Sequence, residues 1–238
     1  MEFKTRISKL TKDDMIIRGE KLSSLIKENS FTDSIFLLLR NRKPTQKESK
    51  IFSAMLISII DHGMGTTSSL TTRFVTSTGN SLNTAVGAGV LALGDYHGGA
   101  IEKAMIQFKE VKKAEKFVSK NLKDKKIIFG YGHKIYKEED PRVRQIISLC
   151  RELNYPSKYI SLAINIEKSI KKKKGKKICL NIDGLIAAVL LEMGFSPKVG
   201  KGIFIIGRVP GLIAQAIEEK EEEKPVRRVD ETDIDYKR

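Results

Sequence analysis

Apolar residues recur every three to four positions along most of this chain, and this spacing constrains the fold more than any other feature. Such spacing places apolar side chains on one face of an α-helix. Residues 182–193 are apolar on nearly every side, which predicts a helix buried in the core. The pattern predicts helices over residues 10–28, 31–39, 48–60, 68–93, 102–118, 142–153, 159–170, 182–193 and 202–217. The predicted fold class is all-α.

Sequence support for strands is confined to two short segments. Residues 126–129 and 177–180 could form strands, but each is brief and ends at a turn signal. Residues 68–93 are rich in Ser, Thr, Ala and Gly, which suits helices that pack closely. Residues 218–238 carry a run of charges and a proline, which predicts a surface arm.

The chain is strongly basic. It has 44 Lys and Arg against 29 Asp and Glu, a net charge of +15. This excess favours an anionic partner: nucleic acid, a membrane surface or a small polyanionic substrate. There is no Trp and no zinc-finger, basic-zipper or RNA-recognition motif, so we do not expect a nucleic-acid partner. The longest apolar run, residues 51–60, is too short to cross a bilayer, so we expect no membrane partner.

The two cysteines and the N-terminus point to a reducing compartment. Cys150 and Cys179 stand alone among apolar residues, without the spacing of metal ligands. The first ten residues mix charges throughout and lack the apolar core of a signal peptide. We therefore expect buried reduced thiols, no metal site and a cytoplasmic location.

All three histidines lie beside glycine. His62 precedes one glycine, His97 precedes two, and His133 follows one. Histidine can exchange protons near neutral pH, and glycine lets the backbone approach a ligand closely. One such histidine would more simply be a helix-end or core residue. Three of three suggest a ligand site.

The motifs around these histidines carry a family resemblance. They are Asp61-His62-Gly63, Ser77-Thr78-Gly79, His97-Gly98-Gly99-Ala100, Gly132-His133-Lys134-Ile135-Tyr136-Lys137, Asp140-Pro141-Arg142 and Asn181-Ile182-Asp183. On these motifs the chain, from about residue 10 to its end, resembles the citrate synthase superfamily. Residues 180–186 and 202–208 look most like the citryl-CoA lyase module of ATP-citrate lyase. The chain, like that module, lacks most N-terminal helices of an ordinary citrate synthase.

The resemblance implies an architecture of two helical domains with the active site in the cleft between them. Residues 1–100 together with 201–238 would form the large domain, and residues 101–200 the small one. The small domain would close over the substrate and exclude water. The resemblance also implies a homodimer or a higher homo-oligomer.

The resemblance implies that the protein makes or breaks a carbon–carbon bond between acetyl-CoA and oxaloacetate through citryl-CoA. Asp183 would be the base that exchanges a proton with the acetyl carbon. His97 would stabilise the thioester oxygen as negative charge develops there. His133 would exchange a proton with the citryl hydroxyl oxygen, and would remove that proton in the cleavage direction. On local sequence alone, Asp183 would be read as a helix N-cap.

Substrate carboxylates need cationic partners. The resemblance assigns them to His62, Arg142 and Arg208, and to an arginine borrowed from a neighbouring subunit, for which Arg227 and Arg228 are the candidates and Arg228 is preferred. Guanidinium groups suit carboxylates because their donors form a planar fork. Spacing alone would equally make Arg142 a helix-start charge. Arg208 follows an apolar run, where an unpaired charge would be costly to bury, so a bound anion accounts for it better than solvent.

Coenzyme A is expected as part of substrate and product, with no tightly bound cofactor. The resemblance places Lys137 on a CoA phosphate. It also places part of the lysine run before residue 181, taken as Lys173, Lys174 and Lys176, on these phosphates. Without the resemblance, that lysine run would be interpreted as a solvated loop.

Two activities remain open, with citryl-CoA, acetyl-CoA, oxaloacetate or citrate as ligands. Chain length and the neighbourhoods of Asp183 and Arg208 favour a citryl-CoA lyase. His97 favours a compact citrate synthase, because the lyase module of ATP-citrate lyase has an aromatic residue at this position. A basic nucleic-acid binder and an inactive relative are alternatives from other classes.

Overall fold

The computed structural model describes residues 2–237, and helices dominate it as predicted. The helices are α1 (Leu22–Glu28), α2 (Phe31–Arg40), α3 (Gln46–Ile57), α4 (Thr67–Ser77), α5 (Leu82–Leu91), α6 (Ala100–Glu110), α7 (Ala114–Lys123), α8 (Pro141–Glu152), α9 (Lys158–Lys174), α10 (Ile182–Glu192) and α11 (Gly200–Glu222). Short 3-10 helices span Pro197–Val199 and Glu231–Asp233. A small sheet of β1 (Ser8–Leu10), β2 (Met15–Ile17) and β3 (Glu20–Lys21) precedes α1.

The helix predicted over residues 10–28 is wrong except for α1. The three strands form an antiparallel meander in which Lys9 lies opposite Ile16. Arg18 and Gly19 turn the chain between β2 and β3 with φ of 50° and 87°. This left-handed conformation interrupts a right-handed helix. The apolar spacing came from three short elements that happen to follow one another.

Residues 68–93, where closely packed helices are predicted, form α4 and α5, which are separated by a turn where Gly79 has a φ of 84°. One other predicted helix is divided. Residues 102–118 form α6 and the first part of α7, with extended backbone at Val111 and Lys113 between them. Neither of the two segments considered for strands, residues 126–129 and 177–180, forms one within residues 2–237, where Tyr131 and Leu180 make an isolated bridge.

Helix α10 lies at the centre of the core, as its apolar sequence predicts. Its residues from 184 to 191 are all buried, and it packs against α6, α8 and α9. Three aromatic rings, Phe36, Phe52 and Phe195, pack together within the same core. Burying each large apolar side chain contributes about 1.5–3 kcal/mol. The first turn of α10 is therefore fixed in position by the core beneath it.

Close packing between α4, α5 and α11 follows from their small residues. A Cβ atom on Gly89 of α5 would lie 2.0 Å from Thr72 Oγ1 and 3.1 Å from Leu212 Cδ1. Any side chain at this position would push the helices apart. The Ser, Thr, Ala and Gly content of residues 68–93 thus has the consequence predicted from it.

A buried ion network joins α4, α11 and the segment after α11. Arg73 Nε donates to Glu219 Oε2 at 2.7 Å, and Arg227 donates to both oxygens of Glu219 at 2.7 and 2.8 Å. Arg73 and Glu219 are each only 2% exposed. The predicted surface arm is therefore wrong at its start, because residues 218–222 belong to α11 and Glu219 is buried between two arginines.

Glu219→Gln is expected to lower the free energy of unfolding by about 3 kcal/mol, because it leaves two guanidinium groups without their buried counter-charge. The pKa of Glu219 lies below its ordinary value, chiefly through hydrogen bonding to Arg227, so this stabilisation is lost as pH falls through that pKa. Glu218→Gln is the matched control: its side chain is 56% exposed and contacts the same Arg73 at 3.3 Å. The control should lose less than about 1 kcal/mol in urea unfolding. Equal losses in the two variants would show that the buried pair contributes no more to stability than the exposed one.

Residues 197–222 are long and apolar enough, by length and composition, to cross a membrane. The prediction from residues 51–60 overlooked this longer segment. In the structure, 44% of an apolar 18-residue stretch of this segment is buried within the protein. Helix α11 packs against α3, α4, α5 and α6, so the core accounts for part of its apolar character.

Candidate active site

Five distant segments of the chain meet at one cavity of roughly 140 Å³. The cavity is lined by the three predicted catalytic residues and by three of the predicted carboxylate-binding residues: His97, His133, Asp183, His62, Arg142 and Arg208. Ile59, Tyr96, Gly98, Ala100, Asn181, Ile182 and Phe204 complete the lining. The structure thus brings together six of the residues that the sequence singled out.

Glycine allows the loop before His133 to approach the first turn of α10. Gly130 has a φ of 88°, and a Cβ atom there would lie 2.5 Å from Gly184 Cα. Asn181 Nδ2 donates to the carbonyl oxygen of Gly132 at 2.8 Å. The backbone of this loop is therefore fixed against α10, which brings His133 and Asp183 to the same cavity.

The protonation of His133 follows from its backbone contacts. The N–H groups of Ile135 and Tyr136 both donate to His133 Nδ1 at 3.1 Å. A nitrogen that accepts hydrogen bonds carries no proton, so the neutral ring holds its proton on Nε2. Burial, and then the charge of Arg142, lower the pKa of His133, which makes the ring neutral at pH 7.

Two donors converge beside His133. Arg142 Nη2 lies 3.3 Å from His133 Nε2. With the ring proton on Nε2, both nitrogens are donors and neither accepts from the other. A single acceptor oxygen beside the pair, within reach of both nitrogens, would satisfy both. The ring of His62 lies against the same imidazole, with ring centroids 5.6 Å apart.

His97 is held by a buried serine. Its Nε2 lies 2.8 Å from Ser68 Oγ, and Ser68 is fully buried at the start of α4. Burial, and then Arg208, lower the pKa of His97, so it too is neutral at pH 7. If Ser68 Oγ is the donor in this contact, the ring proton of neutral His97 lies on Nδ1. Sequence reasoning missed Ser68, which stands in a run of serines and threonines with nothing to single it out.

Asp183 is the second residue of α10 and is not the helix cap. Asn181 is the cap, because its Oδ1 accepts from the N–H of Gly184 at 3.1 Å. The carboxyl of Asp183 is free for another purpose, and the N-cap interpretation is wrong. Desolvation raises its pKa to about 6, although Arg142 and Arg208 act in the opposite direction. Such a group exchanges protons near neutral pH.

Arg208 presents a guanidinium without a full set of partners. The residue is 2% exposed; Nε donates to the carbonyl oxygen of Ile59 at 3.0 Å, and the group lies over the ring of Phe204 at 4.9 Å. Its Nη1 is buried and has no hydrogen-bond partner in residues 2–237. A buried donor left unsatisfied is costly, and a substrate carboxylate would satisfy it.

Arg142 lies at the start of α8. Both interpretations of this residue hold, as a helix-start charge and as a residue of the active-site cleft. Asp140 caps the helix, and its carboxylate oxygens accept hydrogen bonds from Arg142 Nε and Nη2 at 3.0 and 2.8 Å. Arg142 lines the cavity beyond this pair. Asp140 was quoted in the sequence motif without a role.

The remaining predicted residues lie outside the cavity. Lys137 is near it, since its Nζ donates to the carbonyl oxygen of His133 at 3.0 Å. Lys173 and Lys174 form the exposed end of α9, which Gly175 stops in a left-handed conformation. They are therefore helical, which corrects the loop interpretation, and Lys176 is exposed just beyond them.

The two C-terminal arginine candidates differ in their surroundings. Arg227 is engaged by Glu219 and Glu223 of its own chain. Arg228 is exposed and does not line the cavity of its own chain. Of the two candidates, Arg228 is therefore the more exposed one.

Two solved structures are similar to this chain over nearly its whole length. A citryl-CoA lyase from Hydrogenobacter thermophilus is 44% identical with a TM-score of 0.95, covering 99% of this chain and 94% of that one. An ATP citrate lyase from Methanothrix soehngenii, in complex with citrate and coenzyme A, is 28% identical with a TM-score of 0.89, covering 100% of this chain and 42% of that one.

The sequence matches agree. Citrate synthase 2 of Bacillus subtilis is 28% identical over 202 residues, which are 82% of this chain and 54% of that protein. This chain spans about half the length of the citrate synthases it matches. The family model of the citrate synthase C-terminal domain matches residues 15–229. With nearly the whole chain matched and the motif residues gathered in one cleft, this chain belongs to the citrate synthase family.

Proposed function

We propose that this protein is a citryl-CoA lyase, which cleaves citryl-CoA to acetyl-CoA and oxaloacetate. One observation carries the proposal: a carboxyl with a raised pKa, Asp183, shares a cavity with Arg208, whose Nη1 lacks a described partner. The first suits proton transfer near neutral pH, and the second suits a substrate carboxylate. Similarity to the Hydrogenobacter thermophilus lyase over almost the full length of both chains favours cleavage over condensation.

The reaction begins at the hydroxyl of citryl-CoA. In the proposed pose its oxygen lies where the donors of His133 and Arg142 converge, and both stabilise the negative charge that develops as the proton leaves. The resemblance predicted that His133 takes this proton. Its Nε2–H form favours donation instead, because that nitrogen has no free lone pair. We assign the proton to Asp183, which is ionised at pH 7.

Bond cleavage and carbon protonation complete the cycle. The electron pair of the O–H bond forms the new carbonyl of oxaloacetate, and the pair of the broken C–C bond moves into the thioester as an enolate. The Nδ1–H of His97 stabilises the enolate oxygen. Asp183 then gives its proton to the enolate carbon, which yields acetyl-CoA and regenerates the carboxylate.

Binding of the remaining substrate groups is assigned to cations around the cleft. We propose that His62, Arg142 and Arg208 hold the carboxylates, with Arg228 supplied by a second copy of the chain in a cytoplasmic homo-oligomer. Lys137, at the rim, would bind a CoA phosphate, and Lys173, Lys174 and Lys176 would add positive charge along its path.

Purified protein is expected to convert citryl-CoA into equal amounts of acetyl-CoA and oxaloacetate without releasing free thiol. Chromatography of the CoA esters measures the acetyl-CoA, and a thiol reagent measures any free CoA. The second candidate, a citrate synthase, is favoured by the presence of His97 in the cleft. It would hydrolyse citryl-CoA and liberate free CoA with citrate. Citryl-CoA left unconsumed would contradict both activities.

A further inference from the structure

Asp140 is a fully buried carboxylate that does not line the cavity. Four donors surround its two oxygens. Oδ1 accepts from the backbone N–H of Arg142 at 3.1 Å and from Arg142 Nε at 3.0 Å. Oδ2 accepts from Arg142 Nη2 at 2.8 Å and from the backbone N–H of Ile182 at 3.2 Å. Ile182 lies 42 residues away in sequence.

These four bonds join two parts of the active site. The Ile182 N–H is one of the donors that the first turn of α10 leaves without a helical partner, and the next residue is Asp183. Arg142 is the residue whose Nη2 converges with His133 Nε2. One carboxylate therefore fixes the guanidinium and the start of α10 relative to each other.

We propose that Asp140 is a positioning residue that holds Arg142 and the first turn of α10 together, so that the oxygen-binding donors and Asp183 address the same substrate. This inference rests on the proposed lyase activity. Asp140 acts through its neighbours and makes no contact with the cavity itself.

A carboxylate is required here, and an amide of the same shape cannot replace it. All four surrounding groups are donors, so each oxygen must accept. The NH₂ group of an asparagine would face either Arg142 Nε or the two donors at Oδ2, which are Arg142 Nη2 and the N–H of Ile182. In both orientations a donor would face a donor. Burial opposes ionisation of Asp140, but the bonds from Arg142 outweigh it and its pKa lies below the ordinary value.

Removing this charge has a second consequence, which can be measured. The groups facing Asp183 are Asp140 and Arg142 at the start of α8 and Arg208 on α11, with His62, His97 and His133 around the same cavity. Of these, the charge of Asp140 raises the pKa of Asp183, and the two arginines lower it. The loss of Asp140 also leaves Arg142 without a counter-charge. Both changes stabilise ionised Asp183.

The test compares Asp140→Asn with wild type in citryl-CoA cleavage across pH. We expect kcat to fall about 10- to 100-fold through misplacement of Arg142. We also expect the pH midpoint of the rate to move below that of wild type, with KM for citryl-CoA changed less than kcat. Glu139→Gln is the matched control, because Glu139 is exposed and pairs with Arg144 at 3.3 Å. It should leave rate and midpoint unchanged.

Asp140→Ser is the second variant, in case the asparagine variant does not fold. Serine can still cap α8 but does not carry the charge. A lowered midpoint together with a reduced kcat, in whichever variant folds, supports the proposal. A midpoint equal to that of wild type, or a kcat equal to that of wild type, overturns it. If wild type itself leaves citryl-CoA intact, the proposed activity fails, which is a distinct outcome.

Discussion

Asp183→Asn is expected to slow citryl-CoA cleavage about 10³-fold, because an amide cannot accept the hydroxyl proton or return it to carbon. Asparagine keeps the size of the side chain, and the helix cap is supplied by Asn181, so the fold should be unchanged. Binding of citryl-CoA by the variant, measured by calorimetry, should stay within a few-fold of wild type. Single-turnover cleavage of citryl-CoA gives the rate.

Asp95→Asn is the matched control for this substitution. Asp95 lies two residues before His97, and its side chain is 72% exposed and pairs with Lys103 at 3.0 Å. The control should cleave at the rate of wild type. A rate in Asp183→Asn that matches the control would remove Asp183 from the chemistry.

The pH dependence of cleavage has a definite sign. Desolvation raises the pKa of Asp183 to about 6, and the proposed cycle starts from the ionised form. The rate of wild type should therefore increase about tenfold per pH unit below pH 6 and level off above it. A rate that falls above pH 6 would mean that Asp183 starts protonated and that another group takes the hydroxyl proton.

His133→Ala is expected to slow cleavage by about 10²- to 10³-fold, because it removes a donor aimed at the oxygen where charge develops. Affinity for CoA should stay within a few-fold, since the lysines proposed to bind its phosphates are untouched. His133→Gln separates the two roles of the ring. Glutamine can present an N–H near the Nε2 position but cannot act as a base, so a donor role predicts that it recovers about tenfold over alanine.

Equal rates in His133→Ala and His133→Gln would favour the base role that the family resemblance predicts. Lys134→Ala is the control, because Lys134 is the exposed neighbour of His133 and does not line the cavity. Its rate should match wild type. Comparable loss of cleavage and of CoA affinity in His133→Ala would mean that the ring has a structural role.

Much of the fold was predictable because the core helices have unambiguous patterns. Residues 182–193 are apolar on nearly every side and form α10 at the centre, and Pro141 marks the start of α8. The N-terminal sheet was not predicted, because three short elements imitated a helical spacing over residues 10–28. Local pattern cannot distinguish these cases when each element is only two or three residues long.

The site was predictable at its motif residues and not at their supports. His97, His133 and Asp183 stand in recognisable motifs, and the structure places all three at one cavity. Ser68 and the Ile182 contact of Asp140 depend on partners 29 and 42 residues away, which no local pattern shows. The burial of Glu219 between two arginines is likewise a tertiary fact.

Cleavage of citryl-CoA in D₂O tests the central claim most directly, since every proposed residue serves the transfer of one exchangeable proton to the acetyl carbon. Mass spectrometry of a single turnover should find acetyl-CoA with one deuterium in its methyl group, at a rate that collapses in Asp183→Asn. Unlabelled acetyl-CoA, free CoA in its place, or the same rate in the variant would contradict the account.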